Sequence, residues 1–325
     1  MNDTFIEKLL KNCSFKDKGA ISILEKDSEK TVYLFNMGTG KGVMTCFHVF
    51  PGIELIYNNF NSFDTLEYVP DILEDKEIIE ISHCNKGRFE CYLDTDRFDY
   101  LGEGDLSANL INSQKIISDF PLGYYEGLEL VLIKDLAQES LSNFIGEDFD
   151  LDYLFNKIKN NNGYIVIRAK EEINHVISEL YNVDERIRNS YFKLKIVELL
   201  LFFKIANFDD EISNRTYFSL KQVEIIKHIK EELSNNLILD VTLDDLSKRY
   251  GISKTTIKNC FKAVYGKPIF TWWKEYKLQV ACNLLKDSDD KISHIANKVG
   301  YKNPSKFSSA FKEYIGITPS KYRKM

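Results

Sequence analysis

The sequence predicts an α+β chain: a small β-barrel or jelly roll, then helices, then an all-α module built on a duplicated helix-turn-helix. Three observations carry that expectation. Short β-branched and aromatic runs, punctuated by Gly, Asn and Asp, fill the text up to about residue 134. Helical spacing replaces them after Gly146. In the last third, a pattern of apolar and glycine positions recurs about 50 residues further on.

Residues 31–36, 43–50, 54–57, 77–83, 87–93 and 128–133 have strand length and composition. Gly38-Thr39-Gly40-Lys41-Gly42 reads as a hairpin turn, and Gly102-Glu103-Gly104-Asp105 as another break. So many short strands in so short a stretch favour a barrel or jelly roll. Residues 150–160 and 170–181 then show helical spacing, with a brief strand, 164–167, between them. Residues 185–206 form a longer helix, apolar almost all round from Ile196. A helix without a polar face must be covered on more than one side. The barrel covers one side. A second subunit is the candidate for the other, through Tyr191, Leu194, Ile196, Leu199, Leu200 and Phe203, with burial inside the same chain as the equal alternative.

Composition and charge narrow the function. The chain has 325 residues, 44% hydrophobic and 28% charged, which excludes intrinsic disorder and collagen-like repeats. Its six cysteines are scattered and none forms C-x-x-C, as expected of reduced thiols in a cytosolic protein. No basic segment followed by an apolar core opens the sequence, so no secretory signal is read there. The longest apolar stretch, 196–205, is broken by Glu198 and Lys204 and is too short to cross a bilayer. The net charge of −6 conceals a division: from Ser219 onward there are 20 Lys/Arg against 11 Asp/Glu, a net of +9, leaving −15 on the rest. A basic module beside an acidic one points to a polyanionic partner for the former. The polar, aperiodic stretch 207–217, where the sign changes, reads as the linker.

The basic part carries the repeat. Leu243, Leu246, Ser247, Tyr250 and Gly251 recur as Ile292, Ile295, Ala296, Val299 and Gly300. Ile257, Phe261, Lys262 and Gly266 recur as Phe307, Phe311, Lys312 and Gly316. Each copy reads as a short amphipathic helix, a turn containing Gly, and a second helix with its core face at i and i+4. Ser219 with Gln222 and Thr242 with Asp245 make capping boxes, and Ser253 and Asn303 are N-caps of the second helices. Such a second helix fits the major groove, with its outward side chains at base edges and its Lys residues and N-terminal N–H groups on phosphates. The outward set is Lys254, Thr255, Lys258, Asn259 and Lys262 in the first copy. In the second it is Pro304, Ser305, Lys306, Ser308, Ser309 and Lys312. Asn259 can pair bidentately with adenine and Lys258 can reach guanine, whereas Ser and Thr are permissive, so the second helix anchors or reads shape. The continuous helix expected over 269–286 would fix the spacing of the two readers.

Residues 242–324 resemble the DNA-binding domain of the AraC/XylS family of transcriptional regulators. The second copy, KISHIANKVGYKNPSKFSSAFKEYIGITPSKYRK, follows the family signature through Ile295-Ala296, Val299-Gly300-Tyr301, Phe307, Ala310-Phe311-Lys312, Gly316, Pro319 and Tyr322-Arg323. Residues 277–285 match the family's "RL..A..LL" with Lys277 in place of Arg, and Ser247 stands where Ala is usual. The resemblance implies base-reading positions at Thr255, Lys258, Asn259, Ser305, Lys306 and Ser309. The N-terminal two-thirds more loosely resemble the family's sensory half, a cupin-like barrel with dimerisation helices, in the manner of its siderophore-responsive, PchR-like members. Residues 195–203 resemble the family's dimer helix. The implied protein is an effector-controlled activator that binds double-stranded promoter DNA, touches RNA polymerase and acts as a cytoplasmic, nucleoid-associated homodimer.

Cupin-type barrels also house metalloenzymes, which need a close His pair plus a carboxylate. Here His48 and His83 stand 35 residues apart with no H-x-H pair, and His175, His228 and His294 fall in helices. No catalytic residue, metal or cofactor is therefore expected, nor a P-loop or nucleophile elbow. Cys84 and Cys91 read as buried cysteines rather than a thiol switch. Tyr33, Phe35, Phe47, Tyr57, Tyr68, Phe89 and Tyr92 on the strands would enclose a small apolar effector or simply fill the core. The expected organisation is a sensory barrel over 1–145, dimerisation helices over 146–206, a linker at 207–218 and the DNA-binding domain over 219–325, with helix-turn-helix motifs at 242–262 and 291–312. The competing readings are a metalloenzyme fused to a DNA-binding tail and a non-specific architectural DNA binder.

Overall fold

A computed structural model describes residues 5–11, 13–15, 19–68, 76–94, 97–111, 116–146, 149–168, 171–205 and 218–324. The linker expected at 207–217 lies outside the described residues. The chain divides into two compact units, 1–217 and 218–325.

In the first unit, helix α1 (Phe5–Lys11) precedes eleven strands. These are β1 (Cys13–Phe15), β2 (Ala20–Lys26), β3 (Lys30–Asn36), β4 (Lys41–Phe50), β5 (Ile53–Asn61) and β6 (Leu66–Tyr68). They continue as β7 (Ile78–Asp94), β8 (Arg97–Gly102), β9 (Asp105–Ile111), β10 (Ile116–Asp119) and β11 (Tyr125–Ile133). Then come α2 (Lys134–Ile145), α3 (Asp152–Asn160), β12 (Tyr164–Arg168), α4 (Glu171–Leu180) and α5 (Arg188–Ile205). All pairings among these strands are antiparallel. The 17-residue strand β7 belongs to two sheets: its first half pairs with β9 and β11, its second with β8 and β10. The two runs expected at 77–83 and 87–93 are therefore one strand, carried through by Gly87 at φ +83, where a Cβ would stand 2.2 Å from the Tyr124 carbonyl oxygen. Opposite, the register skips Asn85 between Glu126 and Gly127, a bulge that bends the strand from one sheet into the other. The turn at 38–40 is a hairpin, as its glycines suggest, closed by the Met37 N–H on the Gly40 carbonyl.

Period-two alternation sorts these strands into two faces. On β11, Leu128, Leu130 and Leu132 join the cluster beneath the helices, while Tyr125 and Val131 join a second, inner cluster with Phe35, Ile56, Phe60, Ile78 and α1. Helix α5 lies on the outer cluster, and this corrects the dimer expectation. Ile196, Leu199, Leu200 and Phe203 are buried in the protomer's own core, so those four are unavailable to a second subunit. Tyr191 is half-buried, and Leu194 stays exposed together with Leu201 and Ile205. The aromatics divide likewise. Tyr33, Phe35 and Phe89 belong to the inner cluster, whereas Phe47 and Tyr57 pack outward on Phe192 and Tyr181 and cannot enclose an effector. Nothing is described of the side chains of Cys91 and Tyr92.

The same alternation aims two acids inward. Glu129 faces Ser82 across the ladder, and Glu80 lies diagonally beside it on β7. Burial, with the neighbouring Glu80 carboxylate, pushes Glu129 up to about 8 against the pull of the Asn58 amide. Burial raises Glu80 as well. The native state thus keeps a proton on Glu129 that the unfolded chain releases above its ordinary 4.5. Its contribution to stability falls as pH rises from about 4.5 to about 8. Replacing Glu129 by Gln is expected to remove that loss, so the variant should gain on the parent by up to about 1.4 kcal/mol per pH unit across that window. Urea denaturation at pH 5, 6.5 and 8 checks this; a gap independent of pH would refute the buried proton.

The second unit is helical. After the short strand β13 (Phe218–Ser219) come α6 (Leu220–Asn235), α7 (Leu243–Tyr250), α8 (Lys254–Tyr265), α9 (Ile269–Asp287), α10 (Ile292–Lys298), α11 (Pro304–Ile315) and α12 (Pro319–Tyr322). Both predicted capping boxes form, Ser219 with Gln222 and Thr242 with Asp245.

Candidate nucleic-acid interface

Two helix pairs, α7–α8 and α10–α11, make the repeat, and their construction explains which side chains are left to solvent. Ser253 caps α8 by accepting from the Thr256 N–H at 3.0 Å. Asn303 caps α11 by accepting from Ser305 and Lys306, and Pro304 supplies the first turn. Both helices end on a left-handed glycine, Gly266 and Gly316. Their inner faces are locked: Ile257, Cys260, Phe261 and Val264 in one, Phe307 and Phe311 in the other, are fully buried.

The opposite faces are open. Lys254, Thr255, Lys258, Asn259 and Lys262 are exposed on α8, and Ser305, Lys306, Ser309 and Lys312 on α11; Ser308 is half-buried. Lys254 is held by Asp244 at 2.9 Å. Lys258, Lys262, Lys306 and Lys312 have no carboxylate within ion-pair distance among the described residues. Some lysines elsewhere in the unit are paired, as in Lys267–Glu275, Lys274–Glu313 and Lys298–Asp290.

Helix α9 joins the copies. Its first half serves the first pair: Ile269 and Trp273 are buried, the Trp273 indole N–H donates to the Leu233 carbonyl on α6 at 3.0 Å, and Trp272 stands edge-on to Phe261 at 5.6 Å. Its second half, Leu278, Ala281, Cys282 and Leu285, shares a core with Ile295, Val299, Phe307 and Phe311. Lys277 does not reach outward in the manner of a phosphate clamp. Its ammonium lies 3.4 Å from the centroid of the Trp273 ring, and burial pushes its pKa down to about 8. Arg323 donates to the Asp290 carbonyl at 2.6 Å, tying α12 to the turn before α10.

Among the outward cations the sequence reading missed is Lys302, whose side chain is 92% exposed in the turn before α11 and lies 3.4 Å from Asp240. It falls on no helical face, so a search by period passes over it. The inward acids Glu80 and Glu129 were missed as well, although both occupy the same strand phase as inner-core residues. The remaining candidates do not converge. His48 lies beside Glu54 at 3.7 Å and His83 beside Tyr181 at 3.2 Å, and no cluster of three His, Cys, Asp or Glu able to hold a metal occurs among the described residues. The Cys84 thiol is buried, donates to backbone carbonyls, and is pushed up to about 12, which makes it unreactive.

Capped paired helices with buried inner faces and cationic outer faces define a DNA-binding helix-turn-helix module. Comparison with known proteins agrees: residues 246–325 match a family model described as a helix-turn-helix domain. The chain is 32% identical over 137 residues to the HTH-type transcriptional regulator ExsA of Pseudomonas aeruginosa, covering 40% of this chain and 46% of ExsA. It is 28% identical over 98 residues to the multiple antibiotic resistance protein MarA of Salmonella typhimurium, covering 30% of this chain and 77% of MarA. Among solved structures, the C-terminal domain of the two-component response regulator yesN from Fusobacterium nucleatum is 31% identical, with a TM-score of 0.28, covering 31% of this chain and 95% of that one. The match thus spans about half the length of ExsA. The C-terminal region of this protein is an AraC-type helix-turn-helix domain.

The two glycines that end the first helix of each copy are not equivalent. Gly251 (φ +68) has open space where a Cβ would stand, whereas at Gly300 (φ +82) a Cβ would lie 2.3 Å from the Leu237 carbonyl oxygen. Gly251→Ala is expected to cost about 1–2 kcal/mol, from backbone strain alone. Gly300→Ala should cost about 1–3 kcal/mol more, because the turn must also shift. Thermal unfolding of the two variants checks the order; equal losses would contradict it.

Proposed function

We propose that this protein is a sequence-specific DNA-binding transcriptional regulator, in which α8 and α11 enter adjacent segments of the major groove. One observation carries this reading: the unpaired lysines Lys258, Lys262, Lys306 and Lys312 stand on the open faces of two helices whose other faces are buried in cores that both draw on α9. A 19-residue α9 runs about 28 Å, on the scale of the roughly 34 Å between successive groove faces. Asn259 and Lys258 supply direct readout on α8, while Ser305, Ser309 and Lys306 hold and orient α11.

Residues 1–217 act as the effector-responsive half and the protein works as an activator in contact with RNA polymerase, by likeness to transcriptional regulators of this domain type. No helix among the described residues is long and apolar enough to cross a membrane, and the proposed site of action is the nucleoid. The homodimer forms through the exposed side of α5, where Leu194, Leu201 and Ile205 share one helical face.

The test is a binding series on the full chain with promoter and random DNA. Asn259→Ala is expected to lower discrimination at one base pair by about 1–3 kcal/mol. Lys306→Ala should weaken both DNAs alike and reduce the salt slope by about one. Equal affinity of the parent for promoter and random DNA would overturn sequence-specific regulation and leave an architectural binder.

A further inference from the structure

The inner cluster of the first unit encloses a cavity of about 50 Å³, lined chiefly by apolar side chains such as Phe35, Ile56, Phe60, Phe120 and Val131 and by Leu9 of α1. Its polar lining is unusual. Glu80 and Glu129 both open onto it, and so does Asn58, which is 3% exposed. The Oδ1 of Asn58 is buried without a hydrogen-bond partner. Ser82 donates to Glu80 at 2.8 Å, and Asn109 and Asn58 bond to Glu80 and Glu129 respectively, so donors already present satisfy only part of the carboxylates' capacity. Asn58 Oδ1 and the Glu80 and Glu129 carboxyl groups thus line one apolar chamber that holds no cationic side chain among its lining residues. A buried acceptor left unmade costs about 1–3 kcal/mol, and the proton kept on Glu129 is what spares the free site a like-charged pair beside Glu80.

We propose that this cavity is a ligand site for a small organic ammonium ion, whose N–H groups meet Asn58 Oδ1, Glu80 and Glu129 while its short apolar tail lies among the phenylalanines. Complementary donors satisfy the open Asn58 oxygen and the carboxyl groups, and the apolar lining, Phe60 and Phe120 among it, takes the tail. A carboxylate ligand would face two acids. A hard metal ion would want six to eight oxygens, more than these residues offer. The volume is room for about four water-sized spheres, which sets the ligand near four or five heavy atoms. With a cation in place Glu129 ionises, since the attraction offsets the burial that otherwise keeps its proton on. This inference rests on reading residues 1–217 as the effector-responsive half of a regulator, and the experiment separates the two.

Calorimetric titration of the full chain with n-butylammonium, 1-butanol and butyrate at pH 7 tests the site. Butylammonium is expected to bind at least tenfold more tightly than 1-butanol, with no detectable butyrate binding. Glu129→Gln and, separately, Asn58→Ala should each weaken the ammonium at least tenfold and leave 1-butanol unchanged. Equal binding of ammonium and alcohol, tighter binding of butyrate, or no binding of the ammonium to the parent chain would each overturn the proposal, whether or not the variants fold. Promoter affinity measured with and without butylammonium reads the second claim. A changed affinity supports the effector role, whereas ammonium binding with promoter affinity unchanged keeps the pocket and overturns its role as effector site. Failure to prefer promoter over random DNA overturns the regulator reading without touching the calorimetry.

Discussion

Everything in the C-terminal unit depends on one shared element, α9. Neither helix pair closes its core alone: the first takes Ile269 and Trp273 from the front of α9, the second Leu278, Ala281, Cys282 and Leu285 from its back. Because buried side chains of α9 are committed to both cores, α9 cannot rotate under one pair without opening the other. The consequence is rigidity across the repeat, bought by burial rather than by surface ion pairs. The exposed pairs Lys267–Glu275 and Lys274–Glu313 contribute little by comparison. Rigidity matters because two short reading helices gain specificity only when their separation is fixed before they meet DNA.

This half of the molecule was legible almost residue by residue, and the reason is physical. Caps and terminating glycines are local devices: Thr242 with Asp245, Ser253, Asn303, Gly266 and Gly316 act within one turn of where they are written. Duplication then offered each assignment twice, and Ile257/Phe261 and Phe307/Phe311 are buried alike. Local signals also mark their own limits. Lys302 sits in a turn, where helical period says nothing, and Lys277 matches the position of a family arginine yet lies against Trp273.

The N-terminal unit was legible as strands but not as an arrangement. Alternation in 128–133 shows that β11 has two faces, not which face meets which partner. Phe47 and Tyr57 therefore read as ligand-facing aromatics until long-range pairing turned them toward α5. Helix α5 shows the same limit from the other direction. Its apolar circumference calls for cover on several sides, and sequence cannot say whether the cover is another chain; most of it is the sheet together with α3 and α4. Short strands such as β1, β6 and β10 exist only through their partners, so nothing in their own residues announces them.

The inward acids show where alternation and energetics part company. A strand of period two must send every second residue to the same side, so Glu129 goes where Val131 goes whatever the cost of its charge. A sequence selected for stability alone would place an apolar residue at such a position, since an isolated buried carboxylate is among the most expensive groups to hold in a core. The chain instead keeps two carboxyl groups and an unpartnered amide oxygen around one void, and tolerates the first by leaving its proton on. Packing gives no return for that expense. A recognition site does, because its polar atoms are satisfied only when the complementary group arrives. Polar residues that look like errors in an otherwise apolar interior are therefore the part of this unit whose chemistry says most about what it is for.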